Sequence, residues 1–535
     1  MCYTNKNICK ERWGPMAKKK KLRWWQILSI IAVILTVIAE ATLVIQLLRV
    51  NLLPLEYTLL LVLVFLLIPV IMALVQRKGR KKRLRHIVIW LLTIVITVGC
   101  GFGVVALEKL YGTLDTITHL PEGYAYIGVY VRSDDPAQTV QDSKDYLFAT
   151  TDSDDTWNSQ DAVQGMSLLL NKGIAAESYE TAFAMVDALR KGNVDAVLMN
   201  VAYAELMEEI EGYETFLSET RLLYELPVKF QDAPQTTQPV ATDPDVDEVP
   251  DAPTEPTQPP AEVAVTEEAF IIYLSGSDTR SSKLRRSRSD VNILAVVNPN
   301  THQVLLVNTP RDYYVSMPTK KNAMDKLTHC GLYGLDCSAG ALEALYDCDI
   351  SYNAQINFSG FKKMIDAVGG VTVNSDVAFT TDDGFFIQKG DNRLNGEEAL
   401  SFARERHHLA GGDNARGKNQ MKVIAAVIDK VTSGTTIITK YSQILDSLEG
   451  MFVTSMPMEK ISQLIQMQLA DMPGWDIHSY AVTGSHDSQK TYSIPGAYAY
   501  VMRPNQKTVD HASDLIRRVM DGQILTDADM STPKS

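Results

Sequence analysis

Three apolar stretches near the start of the chain, about Leu22–Leu48, Leu52–Val75 and Ile87–Leu107, constrain the fold more than any other feature. Each reaches the roughly 20 residues a helix needs to cross a bilayer core. In hydrocarbon a helix is also one of the few forms that pairs every backbone N–H and C=O within itself. Glu40 is the one acid inside the first stretch and is expected near the outer interface. A cleaved signal peptide is the other reading of that stretch. Its length, the lack of a small-residue cleavage site and the two spans behind it argue against that reading. Loop charge gives the orientation. Gln76–His86 carries seven Lys/Arg and no acid, whereas the first loop has only Arg49 and Glu56. A cytoplasmic basic tail over 1–21 and a cytoplasmic loop over 76–86 satisfy the positive-inside rule twice. The expectation is a multi-pass protein of the cell membrane, with its N-terminus cytoplasmic, three transmembrane helices within 22–107 and the main domains extracellular.

The charge is divided accordingly. Residues 1–107 hold 16 Lys/Arg against 3 Asp/Glu, and the rest hold 35 against 61, within a formal net charge of −13. So acidic a remainder excludes a general nucleic-acid binder, and no nucleic-acid partner is expected. The six cysteines show no CxxC spacing, which speaks against zinc. Cys330, Cys337 and Cys348 would lie outside the cell, where one disulfide and one remaining thiol are compatible with the sequence. The pairing stays open.

Beyond the spans, residues 108–230 read as a small α/β accessory domain. Tyr124–Val131 alternates like a strand, Asp161–Asn171 and Ser178–Lys191 predict amphipathic helices, and Asp195–Asn200 predicts a short buried strand. No convergent acid and base set stands out there, so packing or partner docking is its expected role. Residues 231–266 are Pro-, Thr- and acid-rich and predict a linker without a core. From 267 to 525 the pattern is α/β again. Strands begin near Phe270, Val291 and Gln303, and helices are predicted over Ser338–Tyr346, Phe358–Val368, Glu397–Phe402 and Asn414–Val431. The last residues, 526–535, read as a polar tail.

The chemistry concentrates between Tyr273 and Gln420. Asp278 and Arg280 stand two apart at a strand end, so they point the same way, as do Arg288 and Asp290. If the two segments meet, two carboxylates face one spot among arginines. That arrangement suits Mg2+ shared with phosphate oxygens. Surface ion pairs would show the same spacing. Arg404 and Arg406 flank Glu405, and at strand spacing both guanidiniums share a face, the preferred geometry for phosphate. Asp413, Arg416 and Gln420 fall on one helix face, with Asp413 at its start. A solvated helix face would look alike. Lys283, Arg285 and Arg286 form a basic run, either exposed loop or a contact for anionic headgroups. His329, His407 and His408 have no ligand spacing and read as structural or solvent-facing, and no nucleophile elbow is present.

These segments resemble the LytR–CpsA–Psr family of cell-envelope proteins. The resemblance runs through LSGSDTR (Leu274–Arg280), Arg288–Asp290, Val297–Asp312, KLTH (Lys326–His329), Ile356–Val373, Leu394–Arg406 and Gly412–Gln420, in the family's order over about 150 residues. It implies an α-β-α catalytic domain with a central mixed sheet and an apolar tunnel for a polyprenyl chain. It also implies a Mg2+-dependent phosphotransferase that moves a glycopolymer from a polyprenyl-pyrophosphate donor to a peptidoglycan acceptor. By the same resemblance Asp278 and Asp290 are metal ligands. Arg280, Arg311, Lys326, Arg404, Arg406, Arg416 and Gln420 hold the pyrophosphate, Asp312 orients Arg311, and Asp413 is a candidate base. Arg311, Arg404 and Arg406 would also stabilise charge during transfer. Two positions depart from the family pattern. Ala415 stands where Gly is usual and Asn419 where Arg is frequent, which implies a clamp one charge weaker.

Overall fold

The computed structural model describes residues 24–78, 83–118, 124–151, 159–229, 265–277, 284–433, 436–494 and 497–531. Asp278, Arg280, Lys283, the basic tail and nearly all of the predicted linker lie outside the described residues. The chain forms two compact units, one up to Lys109 and one from Leu110 onward.

The first unit is made of the helices α1 (Trp24–Val50) and α2 (Leu55–Lys78) and of α3 (Arg83–Thr118) as far as Lys109, all three long and apolar enough to cross a membrane. Most of their large apolar side chains face outward, as a lipid-facing surface requires. Polar side chains turn inward instead: Ser29 Oγ meets His86 Nδ1 at 2.8 Å, and Thr36 bonds Thr93 at 3.4 Å. Helix α3 runs past the predicted end at Leu107 to Thr118.

In the second unit, an accessory sheet is built from β1 (Tyr124–Arg132), β2 (Leu147–Thr151), β3 (Ala175–Tyr179), β4 (Ala196–Asn200) and β5 (Thr220–Lys229), in the order β3-β2-β4-β1-β5. Strands β3, β2 and β4 are parallel, while β1 pairs antiparallel with both β4 and β5. Helices α4 (Ser159–Leu169), α5 (Ala182–Lys191) and α6 (Val201–Met207) cover it. The predicted helix from Ser178 is corrected here. Thr181 is the cap, accepting from Ala184 N at 3.2 Å, and Ala175–Tyr179 is an edge strand. That strand is largely exposed, so no apolar alternation marked it in the sequence.

The larger sheet carries the site. Its core strands are β6 (Phe270–Ser277), β7 (Ser289–Asn298) and β8 (Gln303–Asn308). Tyr352–Asn357 and Phe452–Thr454 extend it beyond β6, and Asp476–Ala481 extends it beyond β8. The sheet is mixed: Tyr352–Asn357 on β6 and Asp476–Ala481 on β8 are parallel pairs, and the others are antiparallel. Alternate residues of the central strands go to opposite faces. Leu294, Val296, Leu305 and Val307 pack against the helices Leu335–Tyr346 and Gln506–Met520, while Ile293, Ala295, Val304 and Leu306 pack against Met421 of the helix Asp413–Thr432. The result is a helix–sheet–helix sandwich, with buried apolar runs where the sequence has VNILAVV and QVLLVN.

Two further expectations change. The predicted polar tail, 526–535, is tied to the fold over its described part, up to 531, where Met530 packs against the core. Leu525 is buried in the core, and Asp529 accepts from Arg518 at 2.9 Å. Cys330, Cys337 and Cys348 are all free thiols.

Candidate functional site

The mouth of the site forms where β6 and β7 end. Their pairing shifts register between Gly276 and Ser277, and such a bulge re-aims the residues at a strand end. Beneath it a buried hydroxyl network braces the two strands: Tyr273 Oη donates to Asn292 Oδ1 at 2.7 Å, and Ser275 and Ser289 meet at 2.8 Å. Asp290 emerges from this rigid base. Its Oδ1 accepts from Arg311 Nη1 at 3.0 Å and from Thr328 Oγ1 at 3.2 Å. Burial pushes its carboxyl up, but Arg311, Arg288 and Arg416 outweigh that and hold it below the usual carboxylate range. It therefore stays an anionic oxygen donor, the type a hard cation such as Mg2+ takes. Asp278, the second ligand implied by the resemblance, lies outside the described residues.

Beside Asp290 opens a cavity of about 480 Å³. Arg311, Arg404, Arg406, Arg416 and Gln420 all line it, though they come from three separate segments. Arg404 does not lie on a strand, as its spacing predicted. It is the last residue of the helix Gly396–Arg404, which opens on an Asn395/Glu398 capping box. Its guanidinium sits 4.9 Å over the Phe358 ring. Chain extension resumes at Glu405, so Arg406 still reaches the same cavity. The helix Asp413–Thr432 forms the long wall, where Arg416, Gln420, Ile424, Val427 and Ile428 follow one another along one face. At 1.5 Å per residue the lining changes from cationic to apolar over roughly 18 Å. Leu274, Ile356, Phe361 and Met364 continue the apolar part.

Other positions fall elsewhere. Asp413 is ion-paired with Arg416 and does not line the cavity. Lys326 is only 4% exposed and is held by Glu209 at 3.0 Å and Asp312 at 3.4 Å. Asp312 is near Arg311, with Nε 3.6 Å away. Asn419, where the family often has Arg, is buried and donates to Phe402 O at 3.1 Å, tying the two arginine-bearing helices together.

Sequence reading missed two features. Asp382, Glu405 and His407 converge with ligand atoms within 4.8 Å of one another, and all three line the cavity. Asp382 is more than twenty residues from its partners, so no local spacing could reveal the cluster. The second is Glu209, an accessory-domain acid that enters the cationic cluster. It pairs with Arg288 at 2.5 Å and with Lys326 at 3.0 Å. His329 is buried and bonded to Asp325 at 2.7 Å, which makes it structural.

Comparison with known proteins gives a family model, described as the LytR_cpsA_psr family, that matches residues 236–513. An Oceanobacillus iheyensis protein named polyisoprenyl-teichoic acid–peptidoglycan teichoic acid transferase TagU is 37% identical over 205 residues, covering 37% of this chain and 62% of that protein. A protein of the same name from Enterococcus faecalis is 33% identical over 199 residues, covering 37% and 65%. The chain thus spans less than two thirds of the length of either relative. Among solved structures, the crystal structure of B. subtilis TagV aligns at a TM-score of 0.40 and 24% identity, covering 48% of this chain and 98% of that one.

Proposed function

Because the chain belongs to the LytR_cpsA_psr family, we propose that it is a membrane-anchored phosphotransferase that moves a glycopolymer from a polyprenyl-pyrophosphate carrier to peptidoglycan. The observation that carries this reading is the single cavity whose wall passes from Arg416 and Gln420 to Ile424, Val427 and Ile428. One end suits a diphosphate and the other an isoprenoid chain. The relatives' names, which speak of polyisoprenyl-linked teichoic acid and peptidoglycan, point the same way. The three apolar helices would keep the enzyme where its donor lies, and loop charge favours the catalytic domain outside.

In this reading an acceptor hydroxyl attacks the glycan-bearing phosphorus. A new P–O bond forms, the bridging P–O bond of the diphosphate breaks, and polyprenyl phosphate leaves. Arg311, Arg404, Arg406 and Arg416 bind the diphosphate and take up the charge that grows on the leaving phosphate. The hydroxyl's proton passes to a carboxylate. Asp382 and Asp383 line the cavity and are better placed than Asp413, which Arg416 occupies. Asp290 and, by resemblance, Asp278 would hold Mg2+, which when bound would neutralise phosphate charge. The apolar wall excludes water from the lipid end.

The test is transfer of a polyprenyl-pyrophosphoryl glycan to peptidoglycan by wild type, Arg404→Ala and Asp290→Asn, with and without Mg2+. Product from the wild type that falls at least 100-fold in both variants is expected. Equal product from all three would sink the reading. Release of free glycan without acceptor linkage would mark a hydrolase instead.

A further inference from the structure

Glu209 lies just past α6 in the accessory fold, yet its carboxylate sits among catalytic-domain cations. Oε1 accepts from Arg288 Nη1 at 2.5 Å, and Oε2 accepts from Lys326 Nζ at 3.0 Å. Arg311 Nη2 stands 3.9 Å from Oε1. Lys326 is shared with Asp312, and Asp312 neighbours Arg311, which bonds Asp290. Arg288, Lys326 and Arg311 thus alternate with Glu209, Asp312 and Asp290 in one connected chain of ion pairs. Of the three cations only Arg311 lines the cavity. Arg288 and Lys326 are held behind it.

The interface that delivers Glu209 is built from buried contacts. Tyr203 Oη of α6 donates to Ser493 O at 2.6 Å. Leu332, Ile494 and Ala499 of the catalytic domain complete the hydrophobic core around Tyr203, Leu206 and Met207. An acid held by such an interface is a resident part of the site rather than a passing lid.

We propose that Glu209 is a positioning residue for the transferase site: it anchors Lys326 and Arg288 behind Arg311, so that Arg311 presents a fixed guanidinium edge to the diphosphate. The inference rests on the transferase reading above. It gives the accessory domain a catalytic purpose, and it assigns Lys326 to support of Arg311 rather than to direct phosphate contact. Without the carboxylate, two cations at 4% and 13% side-chain exposure lose an anion. Uncompensated buried charge is costly and drives rearrangement, here toward Arg311 and against it.

The experiment uses the full chain in lipid nanodiscs as wild type, Glu209→Gln, Glu209→Asp and Arg285→Ala. Arg285→Ala breaks a different cross-domain pair, Arg285 to Glu225 at 2.6 Å, and leaves the cluster intact. Two quantities are measured: affinity for geranylgeranyl pyrophosphate, and kcat and KM for transfer. For Glu209→Gln, affinity about tenfold weaker and kcat at least tenfold lower are expected, the cost of a misplaced clamp. Glu209→Asp, which keeps the charge on a shorter side chain, should show an intermediate loss of both, and Arg285→Ala should match wild type. Thermal unfolding reports whether each variant is folded. If Glu209→Gln is not, an intermediate loss in Glu209→Asp decides in favour. Unchanged or tighter binding by Glu209→Gln overturns the inference, since the acid would then be idle or a competitor. An equal loss in Arg285→Ala overturns it too, because domain docking alone would then matter. A wild type that binds the lipid but transfers nothing sinks the transferase reading, and the binding comparison still decides the role of Glu209.

Discussion

Gly417 lies so close to Asn308 that a Cβ placed on it would sit 2.2 Å from the Asn308 side-chain oxygen. In the sequence, Gly417 looks like a weakness in the first turn of a helix. In the fold it is what lets the Arg416 helix press against the end of β8. Arg416 and Gln420 bracket this contact, so their approach to the cavity depends on it.

Gly417→Ala is therefore expected to displace the first turn of the helix and weaken geranylgeranyl pyrophosphate binding about 10- to 100-fold. An intrinsic helix-propensity gain would instead stabilise the protein with binding intact. Titration calorimetry beside thermal unfolding separates the two results.

The apolar stretch of the cavity predicts chain-length selectivity. Ile424→Trp fills space against Val427 and Ile428. Affinity for geranylgeranyl pyrophosphate should fall about tenfold while affinity for inorganic pyrophosphate holds, because only the long ligand needs that volume. Equal losses for both would place the lipid elsewhere.

Phe402 is fully buried and stacks with Phe379, ring centroids 6.0 Å apart, two residues before Arg404. Phe402→Ala should cost about 3–5 kcal/mol in urea unfolding, the usual range for such a cavity. Transfer should fall with it, since this packing fixes the end of the helix that carries Arg404. A loss under 1 kcal/mol would show that the site collapses freely around the missing ring.

Glu209 also predicts an acid limit. Burial raises its carboxyl, but Lys326, Arg288, His329 and Arg311 outweigh this and hold it down at about 2, against an ordinary value of 4.5. A depressed folded value contributes stability that is present above about pH 4.5 and is lost as pH falls toward about 2. The advantage of wild type over Glu209→Gln in unfolding midpoint should be complete above pH 4.5 and gone near pH 2. A gap that stays constant across this window would show that the carboxylate does not titrate with folding.

Arg404 and Arg416 were legible because arginines recur in short motifs, and the helix Asp413–Thr432 because its polar face repeats at helical spacing. The setting of Arg404 was not. Alternation around Glu405 looks like a strand, yet the capping box at Asn395 commits the preceding nine residues to helix. A cap satisfies backbone groups locally and outweighs a three-residue pattern. Asn419 shows the converse. A comparison of motifs alone makes it a lost charge, while the structure makes it a buried tie to Phe402.

The amino-acid order by itself determined the three spans, the alternation that buries β7 and β8, and the identity of the charged groups, because hydrophobic periodicity and residue chemistry act over a few positions. Only the tertiary structure decided that Glu209 stands beside Lys326, that Asp382 meets Glu405 and His407, and that Asp413 turns to Arg416. Those pairings join residues from different elements, or choose among rotamers on one. Their energies come from desolvation and charge neutralisation, which exist only once the chain has closed around them.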